Sequence, residues 1–160
     1  MKMRFALRIS AAALLAATTL TATTLTATAQ DALESAVKAR QAHMQLYAFN
    51  LGTLGAMAKG AMDYDAEAAS RAATNLATLA SLDTRDFWVP GSAAGDVEGS
   101  RALPAMWEPD SDVMAKAGAL REATATLAAT AGTDLASLQA SMGAVGGACS
   151  ACHKAFRQAD

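Results

Sequence analysis

The chain has 160 residues, 52% of them hydrophobic but only 5% aromatic, with two cysteines, three prolines and a formal charge of −2 at pH 7. That length supports one domain with a modest core and no more. Weak acidity without clustered Lys or Arg excludes a nucleic-acid binder, because phosphate recognition depends on concentrated positive charge.

In chain order, Lys2, Arg4 and Arg8 precede an apolar run from Ile9 to Leu15 and a Thr/Ala stretch that ends in Ala27, Thr28 and Ala29. Positive, then apolar, then small residues is the order of a cleavable secretory signal, here 1–29, which leaves a mature domain over 30–160 in the periplasm. A stable membrane anchor is the weaker reading. A spanning helix needs about 20 consecutive apolar residues, and threonines dilute this run. Without the signal, 10 Lys and Arg stand against 15 Asp and Glu, a net charge of −5.

The mature part is rich in alanine and shows no strand-like alternation, so the expected class is all-α. A first helix is expected from about Asp31 to Lys59, with Leu33, Val37, Met44, Leu51 and Leu54 near one face and Gly60 at its end. Asp63 or Asp65 can cap a second, which carries Leu76, Leu79 and Leu82 to about Thr84. From about Arg85 to Pro109 the chain holds all three prolines and both tryptophans, the one long connection, of a length that usually serves function or is disordered. A third helix should start near Asp110 or Ser111, carry Val113, Leu120 and Leu127, and stop near Gly132. Thr133 or Asp134 then caps a fourth through Leu135, Leu138, Met142 and Val145. Short turns between helices one and two and between three and four predict an antiparallel four-helix bundle.

The fourth helix carries Cys-Ser-Ala-Cys-His over Cys149 to His153. Two thiols separated by two residues can add across the two vinyl groups of a haem, and a histidine directly after the second is placed to ligate its iron. Three other readings compete. A redox CxxC belongs at a helix N-terminus within a βαβ pattern, whereas this one lies late in a helix. A structural zinc needs about four ligands, and only His43 remains beyond the motif. A disulfide here would close a loop too small to constrain the unfolded chain much. The spacing favours covalent haem c.

With that motif, the stretches Ala39 to Met44, Gly55 to Gly60, Trp88 to Ser92, Ser100 to Trp107 and Cys149 to Arg157 make the mature chain resemble cytochrome c′ and its low-spin relatives, the class II c-type cytochromes. A haem motif near the C-terminus is itself telling, since class I cytochromes carry it near the N-terminus. The resemblance implies a four-helix bundle with one haem c held by Cys149 and Cys152 and ligated by His153. It implies haem propionate contacts for Arg40 and Gln41, and a place on the proximal side for Arg157, four residues after His153 in the same helix. A cation near a helix C-terminus also complements the macrodipole. Trp88 and Trp107 are expected to close the bundle over the haem, and Asp96 and Ser92 are candidates for a propionate.

Met44 aligns with the residue facing the distal side of the iron. Its thioether either completes a low-spin His/Met pair suited to electron transfer or merely blocks the site, leaving an iron open to small gases. His43 is expected to point away from that face, exposed. Phe156 is expected to be packing and Lys154 solvated. Two functions follow: single-electron exchange with periplasmic redox proteins, or binding of NO or CO. An enzyme, such as a peroxidase, would need a distal acid/base pair, which Met44 and its apolar neighbours do not supply. Class II relatives often pair through their first two helices, and Gly52, Gly55 and Ala56 would permit close approach in a homodimer.

Overall fold

The computed structural model describes residues 12–159, with side chains from Thr28 onward. The helices are α1 (Ala12–Ala58), α2 (Ala66–Ser81), α3 (Val113–Thr130) and α4 (Leu135–Phe156), with a 3-10 turn at Pro104–Trp107. The only extended pairing among the described residues is an isolated bridge between Ala102 and Arg157. The basic residues of the expected signal lie outside the described residues. α1 reaches back to Ala12, ahead of the expected start at Asp31, because the Ala/Leu/Thr stretch holds no Gly or Pro to stop it.

The helix ends follow local chemistry. Gly60, at φ 72°, ends α1, and the amides of Gly60 and Ala61 return to the carbonyls of Met57 and Ala56 at 3.0 and 2.9 Å. Asp65, not Asp63, caps α2, its carboxylate accepting from the Ala68 amide at 2.9 Å. Asp134, not Thr133, caps α4 through the Ser137 amide at 2.7 Å. α2 stops at Ser81, short of Thr84, and an Asp83–Arg85 ion pair at 2.6 Å occupies the turn that follows. α3 starts at Val113, later than expected, because a turn closed by the Ser111 amide on Glu108 comes first.

α1 packs on α2 and α4, and α3 packs on the same two helices, which makes the antiparallel bundle. Leu54, Met57, Leu76, Leu127, Leu138 and Val145 are fully buried, with Ala69, Ala73 and Ala131 between them. These small residues let the helices approach closely. One end is closed by the two short turns: the Tyr64 hydroxyl donates to the Ala131 carbonyl at 2.9 Å, and the Gln139 amide to the Ala58 carbonyl at 2.8 Å. The long connection crosses the other end, where α4 finishes. It is ordered through backbone bonds, Ala94 to Ala102 at 2.8 Å, Leu103 to Phe156 at 2.9 Å and Gln158 to Arg101 at 2.8 Å.

Candidate functional site

Cys149, Cys152 and His153 stand at i, i+3 and i+4 on α4, hence on one face of the helix. Both thiols are free and half-buried. Burial pushes each thiol above its ordinary range, and for Cys152 the neighbouring Cys149 adds to it, so both stay protonated at neutral pH. The His153 imidazole is pushed down, first by burial and then by the Arg157 and Arg101 cations, so its neutral form, the one that ligates metals, prevails at pH 7. Neither ring nitrogen makes a hydrogen bond among the described residues. Among those residues no three His, Cys, Asp or Glu side chains come together, so the zinc reading has no ligand set.

α1 forms the opposite wall. Arg40 is only 4% exposed, and its charge is held entirely by neutral groups. Its terminal nitrogens donate to the Ser92 hydroxyl at 2.7 Å, the Ser92 carbonyl at 2.5 Å, the Ser100 hydroxyl at 2.7 Å and the Phe87 carbonyl at 3.4 Å. Its guanidinium carbon lies 5.0 Å from the Trp88 ring centroid. Among the described residues no carboxylate pairs with it, and burial lowers its pKa. Gln41, beside it, donates to the Gly99 carbonyl at 2.9 Å. One turn on, Met44 is 36% exposed rather than packed in the core. Tyr47 follows, buried, its phenol pushed up to about 12 by burial and then by Cys149, which brings the α1 face to the thiols of α4.

Several expectations change here. His43 does point away from Met44, but it is buried, not exposed, because α2 and the long connection cover it: Nε2 lies 3.0 Å from the Leu79 carbonyl and the ring edge faces Phe87 at 5.9 Å. Arg157 is not within the last helix. It is the extended residue after it, exposed, its amide bonded to the His153 carbonyl at 3.0 Å and its backbone bridged to Ala102. It still sits near the imidazole, whose pKa it lowers. Asp96 is exposed and accepts from the Ala93 amide at 3.3 Å, shaping its own turn. Trp88 and Trp107 do meet, the Trp107 indole donating to the Trp88 carbonyl at 3.0 Å. Phe156 is buried and Lys154 exposed, as expected. The sequence reading attached no role to Ser100, Tyr47 or Arg101, for which spacing offers no signal.

These residues fit a covalently held haem. Two protonated thiols and a neutral imidazole share one face of α4, and a buried cation without a carboxylate partner among the described residues stands on α1 against the connection that also bridges the end of α4, a natural partner for a propionate. Because the four terminal N–H groups of Arg40 are taken by the connection, only its Nε–H and its charge remain for such an anion.

Residues 35–157 match the family model described as Cytochrome C′. The chain is 48% identical over 134 residues to cytochrome c-554 of Cereibacter sphaeroides, covering 82% of this chain and 88% of that one. It superposes on cytochrome c′ from Rhodobacter sphaeroides with a TM-score of 0.77 at 42% identity, covering 80% of this chain and 98% of the other. The nitric oxide complex of a point mutant of cytochrome c prime from Alcaligenes xylosoxidans is similar with a TM-score of 0.69 at 34% identity, over 80% and 97% of the two chains.

Proposed function

The chain belongs to the cytochrome c′ family, whose members are haem c proteins, and from that premise we propose that it is a periplasmic single-electron carrier and not an enzyme. When bound, the haem supplies a one-electron iron couple. The thiols of Cys149 and Cys152 would anchor it, each S–H adding across a vinyl group with no net change in oxidation state. His153 offers a neutral imidazole to the iron. Arg40 holds positive charge beside the site and favours the reduced, less positive state. Trp88 and Trp107 exclude water, which raises the potential further. The carrying observation is the shared face of the two thiols and the neutral imidazole on α4.

Met44 supports two outcomes. As a sixth ligand it makes a low-spin carrier. The second reading, an open site for NO or CO, is favoured by its partial exposure and by the similar protein whose structure is a nitric oxide complex. Visible spectra of the oxidised and reduced protein, followed by carbon monoxide, separate them. Loss of low-spin features in Met44→Ala supports the carrier, and rapid carbon monoxide binding by the untouched reduced protein supports the gas reading. Replacing both cysteines by Ser should release haem on acid extraction, and haem retained in that double variant would refute covalent attachment.

Export fits the N-terminal pattern of 1–29, and no described helix is long and apolar enough to cross a membrane. A homodimer through α1 and α2 is supported by Leu46 and Phe49, 52% and 73% exposed on α1. A side chain at Gly52 or Gly55 would meet nothing within 4 Å, so packing inside the chain does not require glycine there. Light scattering on the purified protein tests it, and a concentration-independent monomer refutes it.

A further inference from the structure

The long connection is fastened at two points to opposite walls of the site. At one point Ser92, fully buried, and Ser100, 7% exposed, receive the Arg40 guanidinium of α1. The two serines are also tied to each other, the Ser100 hydroxyl donating to the Ser92 carbonyl at 2.8 Å, while the Ser92 hydroxyl donates to the Val89 carbonyl at 2.7 Å. At the other point, only two residues beyond Ser100, Ala102 bridges Arg157. The Leu103 amide reaches the Phe156 carbonyl at 2.9 Å, the Gln158 amide reaches the Arg101 carbonyl at 2.8 Å, and the Arg101 side chain donates to the Gln158 carbonyl at 2.8 Å. These attachments fall directly after His153, whose own carbonyl takes the Arg157 amide. A short, fully bonded strap therefore runs from the turn of α1 before Met44 to the end of the helix that carries His153.

We infer that Ser92 and Ser100 are positioning residues, which hold Arg40 and through the strap set the spacing between Met44 on α1 and His153 on α4. This rests on the haem reading above and adds to it a control over the distal side of the iron. Neither serine touches the coordinating atoms. Each acts by fixing a cation that has no carboxylate partner among the described residues and that would otherwise turn toward water. Arg40 binds hydroxyls and carbonyls only, so its grip depends on geometry rather than on a counter-charge, and removing one hydroxyl weakens one fastening and leaves the bridge at Ala102 in place. The spacing then relaxes without loss of the bundle core, which lies elsewhere, at Leu54, Leu76, Leu127 and Leu138.

The test uses the haem-loaded full protein. Ser100→Ala removes a hydrogen bond to a charged group, which shifts the balance between held and released strap by about tenfold. Carbon monoxide association with the reduced protein should rise by about that factor, and the visible spectrum should gain high-spin character. If Ser100 acts through Arg40, the same change in an Arg40→Met background should add less than about twofold. A folded, haem-loaded Ser100→Ala with the parent's spectrum and rate overturns the inference, as does an equal effect in both backgrounds. Should Ser100→Ala fail to fold, hydrogen exchange on the parent decides. Protected amides at Ala94, Leu103 and Gln158, the donors of the strap, support it, and exchange at free-loop rates overturns it. A colourless parent would instead sink the haem reading itself.

Discussion

Replacing Arg40 by methionine keeps much of the side chain's volume and removes its charge and donors. The terminal nitrogens make three good hydrogen bonds, at 2.5, 2.7 and 2.7 Å, and one marginal bond at 3.4 Å. A hydrogen bond to a charged group contributes roughly 1.5 to 3 kcal/mol, and the stacking on Trp88 about 0.5 to 1 kcal/mol more. Burying a guanidinium costs several kcal/mol of lost hydration, which offsets a large part of that sum. The partners left behind are mostly cared for: the Ser92 carbonyl keeps the Ser100 hydroxyl, and the Ser92 hydroxyl keeps the Val89 carbonyl. Only the Phe87 carbonyl loses its bond from Arg40 outright. The net loss should therefore be about 2 to 3 kcal/mol, equivalent to a fall in Tm of roughly 10 °C for a domain of this size. Guanidinium titration of haem-loaded protein followed by circular dichroism measures it. A loss under about 1 kcal/mol would show that desolvation cancels the network and that the connection is held by its backbone bonds alone.

Gly132→Ala should destabilise by about 1 to 3 kcal/mol, because the added methyl would lie 3.0 Å from Ser70 Cβ and 3.1 Å from the Ala66 carbonyl; thermal unfolding reads this directly. Leu127→Ala empties a fully buried position and should cost about 2 to 5 kcal/mol in a denaturant titration. Asp134 is held below the usual carboxylate range by its bonds to Ser137, so its contribution is present above the unfolded-state pKa and is lost as pH falls through the folded-state pKa. Tm profiles of the parent and Asp134→Ala should accordingly differ at neutral pH and converge in acid, and parallel profiles would refute the capping role.

Much of the bundle was readable from the chain because its signals are local. Asp65 and Asp134 were both among the cap candidates, and Gly60 marks a backbone position at positive φ that glycine alone adopts without strain. Choosing Asp65 over Asp63, or Asp134 over Thr133, required the backbone, since either residue type can cap and only one is in register with the first free amides. The late start of α3 had the same cause: the turn that the Ser111 amide closes on Glu108 has no periodic signature. His43 shows the limit most clearly. Its helix position placed it away from Met44, but burial depends on what lies across from it, and α2 and Phe87 meet it from distant parts of the chain.

The amino-acid sequence alone determined that Cys149, Cys152 and His153 stand together, because three residues at i, i+3 and i+4 share a helix face whatever the rest of the fold does. It also determined four helices, through composition and turn residues whose effects extend over a few positions. Only the tertiary structure decided that Arg40 is buried among two serines and a tryptophan ring, and that the chain after His153 leaves the helix to bridge Ala102. Those facts depend on which remote segments fold against each other. A guanidinium 52 and 60 residues from its hydroxyl partners leaves no local trace of the pairing.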